Sequence, residues 1–240
     1  MKILGLDSSG IVASVAIVED DVLIAEYTVN YKKTHSQTLL PMLDEIAKMT
    51  ELDLNSIDAI AVAAGPGSFT GLRIGSATAK GLGLALKKPL IAIPTVEGLA
   101  YNLYDISGLI CPIMDARRKQ VYTGIYRFTD HQLKVVEDQM AVPMETVIEK
   151  LNQYGEAVTF LGDGVPVFHE LIAEKMTVSV FAMFQDGDNP FRGEYMNIGN
   201  ANELCNAIVG SDEIEFDLEY EHDGKTEKAE RELKGFAKTE

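Results

Sequence analysis

The first group of residues able to do chemistry is Asp7-Ser8-Ser9-Gly10, which closes the apolar run that begins at Ile3. A carboxylate at the end of a strand can hold a hydrated cation, and neighbouring backbone N–H groups can bind a phosphate. Asp, Ser and Gly are also ordinary turn residues, so a simple hairpin turn fits equally well. The first interpretation makes Asp7, Ser8 and Ser9 candidates for a nucleotide site.

A glycine-rich loop from Gly65 to Gly71 leaves a short apolar run and enters a helical pattern. Ser68 or Thr70 can cap that helix, and helix N-termini attract anions. The loop is not a Walker phosphate loop, because Gly71 is followed by leucine and arginine instead of Lys-Ser/Thr. A Gly-x-Ser-x-Gly nucleophile elbow is also missing from the sequence. The sequence is consistent with a structural turn and also with a binding loop.

Small residues recur at every fourth position of the following helix. Glycine inside a helix costs about 0.5–1 kcal/mol against alanine, so three glycines on one face indicate a close packing contact. The contact could be with the chain's own sheet or with a helix of a partner. The second possibility predicts an interface made of the small residues and their neighbours on two helices: Leu39, Leu43, Gly71, Ile74, Gly75, Thr78, Ala79, Leu82 and Gly83.

Three further groups carry weaker signals. Asp115-Ala116-Arg117-Arg118 places two cations at the tip of a predicted hairpin, which a solvated turn would also explain. Gly162-Asp163-Gly164 follows a predicted strand and is typical of a turn. The four histidines are scattered, with no His-x-x-x-His or His-Glu-x-x-His pair, so no metal site is predicted.

Charge and composition limit the possible partners. The chain has 240 residues and a formal net charge of −16, which should repel a phosphate backbone, so any contact with nucleic acid should depend on a basic partner. Apolar residues make up 46% of the sequence, and no apolar run is long enough to span a bilayer. With only Cys111 and Cys205 we expect free thiols, a reducing cytoplasm and no membrane association.

The order of predicted elements indicates an α/β fold. Runs at 3–7, 12–18 and 22–29 predict three antiparallel strands, and 59–64 and 90–93 predict two buried strands. Helices are predicted from Thr38 onward, with Pro41 either in the first turn or at a kink, and from Leu72 to Leu86. This order suggests a ribonuclease-H-like lobe, residues 1–106.

A second lobe, residues 107–240, is predicted from the remaining patterns. Residues 109–114 and 119–128 predict a hairpin, 144–154 a helix and 157–161 a strand. Residues 185–203 are rich in Gly, Asn and Asp and predict a loop. Near the acidic end, 213–221 alternates apolar and acidic residues and predicts a strand, whereas 226–238 is predicted to be a helix.

The string from Gly65 to Gly75, Gly-Pro-Gly-Ser-Phe-Thr-Gly-Leu-Arg-Ile-Gly, resembles the signature of the TsaB (YeaZ) family. Supporting matches occur in the same order at residues 6–9, 35–41, 94–100 and 114–118, and the resemblance covers roughly residues 1–165. It implies an ASKHA (actin-like ATPase) fold of two similar lobes. Near the C-terminus the sequence lacks the family's usual Pro-x-Tyr-Leu-Arg element.

The resemblance also implies a function. It points to a non-catalytic scaffold or activator subunit that works with the paralogue TsaD and the ATPase TsaE. Together they place a threonylcarbamoyl group on N6 of a tRNA adenosine. It implies that helices near 36–50 and 70–86 pack against the same helices of TsaD, or of a second copy in a homodimer. ATP or ADP with Mg²⁺ could bind at the interface of the complex.

Two enzyme classes compete with this interpretation. An actin-like small-molecule kinase or ATPase would use Asp7 near magnesium, with Gly162-Asp163-Gly164 as its second phosphate loop. A peptidase would need a nucleophile–base pair or a metal motif, and the sequence offers neither.

Overall fold

The computed structural model describes residues 1–20, 22–30, 37–181, 213–222 and 225–234. Two five-stranded sheets and a separate two-stranded hairpin contain all strands of these residues. No helix among them is long and apolar enough to cross a membrane.

The first sheet contains the N-terminal strands. Its strands are β1 (Lys2–Asp7), β2 (Ala13–Glu19), β3 (Val22–Val29), β4 (Ala59–Gly65) and β5 (Leu90–Pro94), in the order β3-β2-β1-β4-β5. The first three are antiparallel, whereas β4 and β5 run parallel to β1. Helices α1 (Leu39–Met49) and α2 (Phe69–Leu86) provide the crossovers. All seven elements were predicted from the sequence.

The second sheet repeats the topology of the first. Its elements are β6 (Leu109–Asp115), β7 (Gln120–Thr129), β8 (Gln132–Pro143), α4 (Met144–Tyr154), β9 (Val158–Leu161), α5 (Val165–Lys175) and β10 (Ser179–Phe181). The strand order β10-β9-β6-β7-β8 is the first lobe's order, since β6 to β10 replace β1 to β5. Two lobes of one ribonuclease-H-like topology confirm the predicted two-lobed ASKHA fold.

Helix α3 (Thr95–Ala100) connects the two lobes. The Thr95 hydroxyl accepts a hydrogen bond of 3.2 Å from the Gly65 N–H at the end of β4. Val96, Leu99 and Ala100 pack on the second sheet. The predicted boundary near residue 106 falls just after this helix and before β6.

Both long helices of the first lobe begin where the sequence indicates. Helix α1 has Thr38 at its N-cap, so Pro41 lies in the first turn, where a missing N–H costs no intrahelical hydrogen bond. Ser68 is the N-cap of α2, and its hydroxyl accepts from the Gly71 N–H at 3.3 Å. Helix α2 ends at Leu86, and its C-cap Lys87 is left-handed with φ of 56°.

The last prediction of secondary structure is wrong. Residues 226–238 were expected to be helical, but β12 (Lys225–Lys234) pairs antiparallel with β11 (Glu213–His222). The predicted strand at 213–221 is confirmed. Strand β8 and helix α5 were not predicted, and the expected loop at 185–203 lies outside the described residues.

Candidate functional site

The turn at Asp7, Ser8 and Ser9 connects β1 to the beginning of helix α2. All three residues are buried, with 2–3% of their surface exposed. The Ser8 hydroxyl donates to the Gly71 carbonyl at 2.9 Å, and the Ser9 N–H donates to the Asp7 carboxylate at 2.7 Å. The Ser9 carbonyl accepts from the Ser68 N–H at 2.6 Å. The turn therefore fixes the start of α2 against the sheet.

This geometry bears on the nucleotide prediction. A phosphate would need free hydroxyl or N–H donors, but the Ser8 hydroxyl and the Ser9 N–H already donate within the chain. A bound phosphate would have to displace those hydrogen bonds. These two donors are already used within the chain, and the nucleotide site at Asp7, Ser8 and Ser9 stays a prediction.

The small residues of α2 face the chain's own sheet, which favours the first of the two contacts that their spacing predicts. Gly71, Gly75, Ala79 and Gly83 are buried. A Cβ on Gly71 would lie 2.0 Å from the Ser8 carbonyl oxygen, and one on Gly75 would lie 2.6 Å from the Ser8 hydroxyl. A Cβ on Gly83 would lie 2.8 Å from the Leu90 side chain. Glycine allows α2 to approach the sheet this closely.

The larger members of the predicted interface also point inward. Leu39 and Leu43 of α1 are 1% and 3% exposed, and they pack with the strands of the first sheet. Ile74 and Leu82 of α2 are half-buried against the same cluster, and Thr78 is half-buried. Leu39 and Leu43 thus belong to the core under the helices, whereas a contact of the half-buried Ile74, Thr78 and Leu82 with a partner stays a prediction.

A different set of α2 side chains faces outward. Phe69 and Leu84 are 69% and 80% exposed, and Arg73, Ala77 and Lys80 lie exposed between them. The Arg73 guanidinium lies 4.0 Å from the centroid of the Phe69 ring. The helix has no acidic residue although the whole chain carries −16. We call these five residues the outer α2 face. Their spacing along the helix was a signal in the sequence, but the glycine pattern drew the prediction to the opposite side.

A groove of about 500 Å³ runs beside the outer α2 face. Ala64 of β4 and Ala92 of the edge strand β5 form its floor, and both residues are exposed. Phe69, Arg73 and Lys80 form its helical wall. The groove is therefore apolar at its base and basic at one side. On α1, Leu40 and Met49 are exposed at 52% and 84%.

A larger cavity of about 720 Å³ lies between the lobes. Ser9, Gly67 and Ser68 border it from the first lobe, and Asp115 and Asp163 border it from the second. The Asp115 N–H donates to the Asp163 carboxylate at 3.1 Å. Burial, and then the charge of Asp115, raises the pKa of Asp163 above its usual range. The predicted turn at Gly162-Asp163-Gly164 thus brings a carboxylate into the cavity.

The histidines and cysteines that the structure describes do not form a common site. Among the described residues no three His, Cys, Asp or Glu side chains are close enough to share a metal ion. His131 pairs with Asp105 on the surface at 2.7 Å, and His35 lies outside the described residues. Cys111 is a free, buried thiol whose pKa burial raises to about 12, and Cys205 also lies outside the described residues.

Three comparisons with known proteins agree with one another. A family model described as TsaD, tRNA N6-adenosine threonylcarbamoyltransferase, matches residues 23–207. The tRNA threonylcarbamoyladenosine biosynthesis protein TsaB of Bacillus subtilis is 34% identical over 205 residues, 85% of this chain and 90% of the relative. TsaB of Escherichia coli is 33% identical over 175 residues, 71% of this chain and 75% of the relative.

The fold agrees with these sequence matches. YeaZ from Pseudomonas aeruginosa superposes with a TM-score of 0.68 at 24% identity, over 86% of this chain and 90% of that chain. The match to TsaB of Bacillus subtilis covers 85% of this chain, so it extends into both lobes. The chain therefore belongs to the TsaB (YeaZ) family.

Proposed function

We propose that this chain is a non-catalytic scaffold and activator subunit in the formation of tRNA N6-threonylcarbamoyladenosine. The observation that carries the proposal is the match to TsaB of Bacillus subtilis over 85% of the chain. In this proposal the subunit binds a TsaD-type paralogue, which performs the transfer, and a TsaE-type ATPase. The sequence supports the division of labour, because no His-x-x-x-His pair occurs anywhere in it.

The proposed contact with the paralogue is the outer α2 face, together with the exposed side of α1. Phe69 and Leu84 offer apolar area to a partner, which is the property that distinguishes docking surfaces from ordinary surface. Arg73 and Lys80 lie between these two apolar side chains and give this face positive charge on an acidic molecule. A partner helix carrying carboxylates would complement it. The same surface would form the homodimer when the chain is alone.

The test compares Leu84→Glu with Val135→Glu, since both residues are exposed, at 80% and 50%. A carboxylate buried in an apolar contact is costly, so Leu84→Glu should weaken binding to the paralogue at least tenfold, about 1.4 kcal/mol. Val135 lies on β8, away from α2, and its variant should bind normally. Isothermal titration with the paralogue, and light scattering for self-association, provide the readout.

Equal affinity of the two variants would place the contact elsewhere on the molecule. No binding by the unaltered chain would overturn the proposed function itself. The alternative, a kinase or ATPase of the same fold, is favoured only by the cavity between the lobes. Because Asp115 and Asp163 face that cavity, a triphosphate would need a cation to enter it.

A further inference from the structure

The turn between β6 and β7 has an unusual backbone. Arg117, Arg118 and Lys119 have φ angles of 68°, 53° and 62°, so three consecutive residues with side chains are left-handed. Residues other than glycine enter this region as single residues, with Asn and Asp most often, because Cβ approaches the following carbonyl. The same turn could be built with Asn or Gly at less strain. Strain of this kind persists where the surroundings enforce it, and it concentrates at functional sites.

Hydrogen bonds within the turn, to helix α4 and to Asp163 hold the turn in place. The Ala116 N–H donates to the Gln120 carbonyl at 3.0 Å, and the Gln120 N–H donates to the Arg117 carbonyl at 3.0 Å. The Lys119 carbonyl accepts from the N–H of Met144, the first residue of α4, at 3.2 Å. At its base, the Asp115 N–H donates to Asp163 just before α5. The backbone is therefore preorganised.

The three cationic side chains of the turn are exposed. The Arg117 guanidinium lies 3.3 Å from the Asp115 carboxylate but is 87% exposed. Arg118 and Lys119 form no ion pair with any other residue that the structure describes. An exposed and compact cluster of cations is unexpected on a chain with a net charge of −16. We call residues 117–119 the basic turn.

The charged residues that line the neighbouring cavity indicate which kind of anion the basic turn can bind. All three of Asp115, Arg117 and Asp163 line the cavity, but the Arg117 side chain is 87% exposed whereas that of Asp115 is only 18% exposed. These carboxylates would repel a free phosphate or nucleotide that entered without a cation. An anion held by Arg118 and Lys119 therefore stays outside, on the protein surface. A chain of phosphates running across the surface fits this arrangement, and guanidinium groups recognise phosphate with paired N–H donors.

We infer that the basic turn binds the phosphodiester backbone of RNA when the chain works in its complex. The inference rests on the proposed function, which brings tRNA to the partner subunit. The turn contributes two phosphate contacts, from Arg118 and Lys119, to a surface formed mostly by the partner. Binding is independent of base sequence, because phosphate contacts position RNA without reading it.

The test uses the assembled complex and measures tRNA affinity by fluorescence anisotropy over a range of salt concentrations. The double variant Arg118→Gln/Lys119→Gln removes two charges without touching the hydrogen bonds of the turn, which are all made by the backbone or by Asp115 and Asp163. Each lost phosphate contact reduces the salt slope of the binding constant by about 1, so the slope should fall by about 2.

A matched control is Lys134→Gln/Lys175→Gln. Both lysines are exposed, they lie on β8 and at the end of α5, and the net charge changes by the same amount. The control should leave the salt slope unchanged. An equal change in both double variants would mean that only the total charge matters and would overturn the inference. So would an unchanged slope in the Arg118/Lys119 variant, or a loss of protein–protein affinity in place of RNA affinity.

A third variant separates function from fold. Arg118→Gly suits the left-handed backbone at φ of 53° and should raise or preserve the melting temperature while it weakens tRNA binding. A variant that is as stable as the unaltered chain and binds tRNA equally well would overturn the contact at Arg118. If the unaltered chain forms no complex with the paralogue, the proposed function is wrong. That result differs from an unchanged salt slope in a complex that does form, which contradicts only the RNA contact.

Discussion

Gly71 lies where helix α2 meets the turn after β1, and no larger residue fits there. A Cβ at this position would lie 2.0 Å from the Ser8 carbonyl oxygen, which is backbone and cannot rotate away. We expect Gly71→Ala to destabilise the fold by about 1–3 kcal/mol through overpacking. Gly81→Ala is the control, since a Cβ there meets nothing within 4 Å. It should stabilise the chain by about 0.5–1 kcal/mol.

Urea unfolding of the two alanine variants measures both effects. If Gly71→Ala were as stable as the unaltered chain, helix α2 would not rest on the turn at Ser8. The same reasoning changes how the interface must be probed. A bulky residue at Gly75 would disrupt the fold before it disturbed a partner, because its Cβ would meet the Ser8 hydroxyl at 2.6 Å.

Asp163 predicts a pH dependence of stability. Burial and the Asp115 charge raise its pKa in the folded state. A raised carboxyl pKa contributes stability below the unfolded pKa, and this contribution is lost as the pH rises through the folded pKa. Asp163→Asn keeps an acceptor for the Asp115 N–H and removes the charge. The variant should therefore be more stable than the unaltered chain at neutral pH, and the difference should shrink as the pH falls and vanish below the unfolded pKa of about 3.9.

Urea midpoints of both proteins over this pH range would test this prediction. A variant that is less stable at neutral pH would mean that the ionised carboxylate is stabilised by a bound cation. In that event the cavity between the lobes would hold a cation.

The residue patterns predicted close packing on α2 but not its direction. The spacing of Gly71, Gly75, Ala79 and Gly83 was correctly interpreted as a close approach. The same four-residue spacing of small residues fits a close contact with the sheet beneath the helix and a close contact with a partner outside it. The exposed side of α2 also has apolar residues, Phe69 and Leu84, so hydrophobicity did not distinguish the two sides. The direction follows from the position of Ser8, which lies 63 residues before Gly71 in the sequence and donates its hydroxyl to the Gly71 carbonyl.

At the scale of elements, the β7–β8 hairpin reaches the other lobe through Phe128. Its ring centroid lies 5.7 Å from that of Tyr101 and 5.1 Å from that of Tyr104, both in edge-on geometry. Each aromatic pair is worth about 0.5–1.5 kcal/mol, so Phe128→Ala should destabilise the chain by about 1–3 kcal/mol. Phe69→Ala, at a residue that is 69% exposed, should cost at most about 1 kcal/mol.

Thermal and urea unfolding followed by circular dichroism would compare these two variants. Equal stability of Phe128→Ala and the unaltered chain would show that the hairpin does not hold the lobes together. Separate transitions for the two lobes in Phe128→Ala would show that this contact couples their unfolding.

Elements with strong local signals were predicted, and those fixed by distant partners were not. The helix at 144–154 and the strand at 213–221 follow from their periodicity. Residues 225–234 contain strong helix formers such as Ala, Leu, Glu and Lys, yet they pair with β11 along its whole length. Strand β8 has no fully buried residue, so its sequence lacks the alternation that would identify it.

At the scale of the whole molecule, the repeated lobe topology and the net charge differ in how readily the sequence predicts them. The repeated strand order was within reach of the sequence only through the family resemblance, because no internal sequence repeat is visible. The charge, in contrast, follows from counting residues. A charge of −16 with few clustered cations indicates a protein that approaches tRNA only beside a basic partner.

The last prediction concerns this dependence on a partner. The purified chain alone should not shift tRNA in a gel at physiological salt, because the basic turn offers two free cations against the repulsion of the whole surface. It should also show no steady ATP turnover. Adding the paralogue should restore tRNA binding, and the restored affinity should fall steeply with salt. Tight tRNA binding by the chain alone would contradict the charge argument, and ATP turnover lost in Asp7→Ala would favour the kinase alternative. The two expected results can be contradicted separately, because tRNA binding reports on the surface charge and ATP turnover reports on a catalytic site.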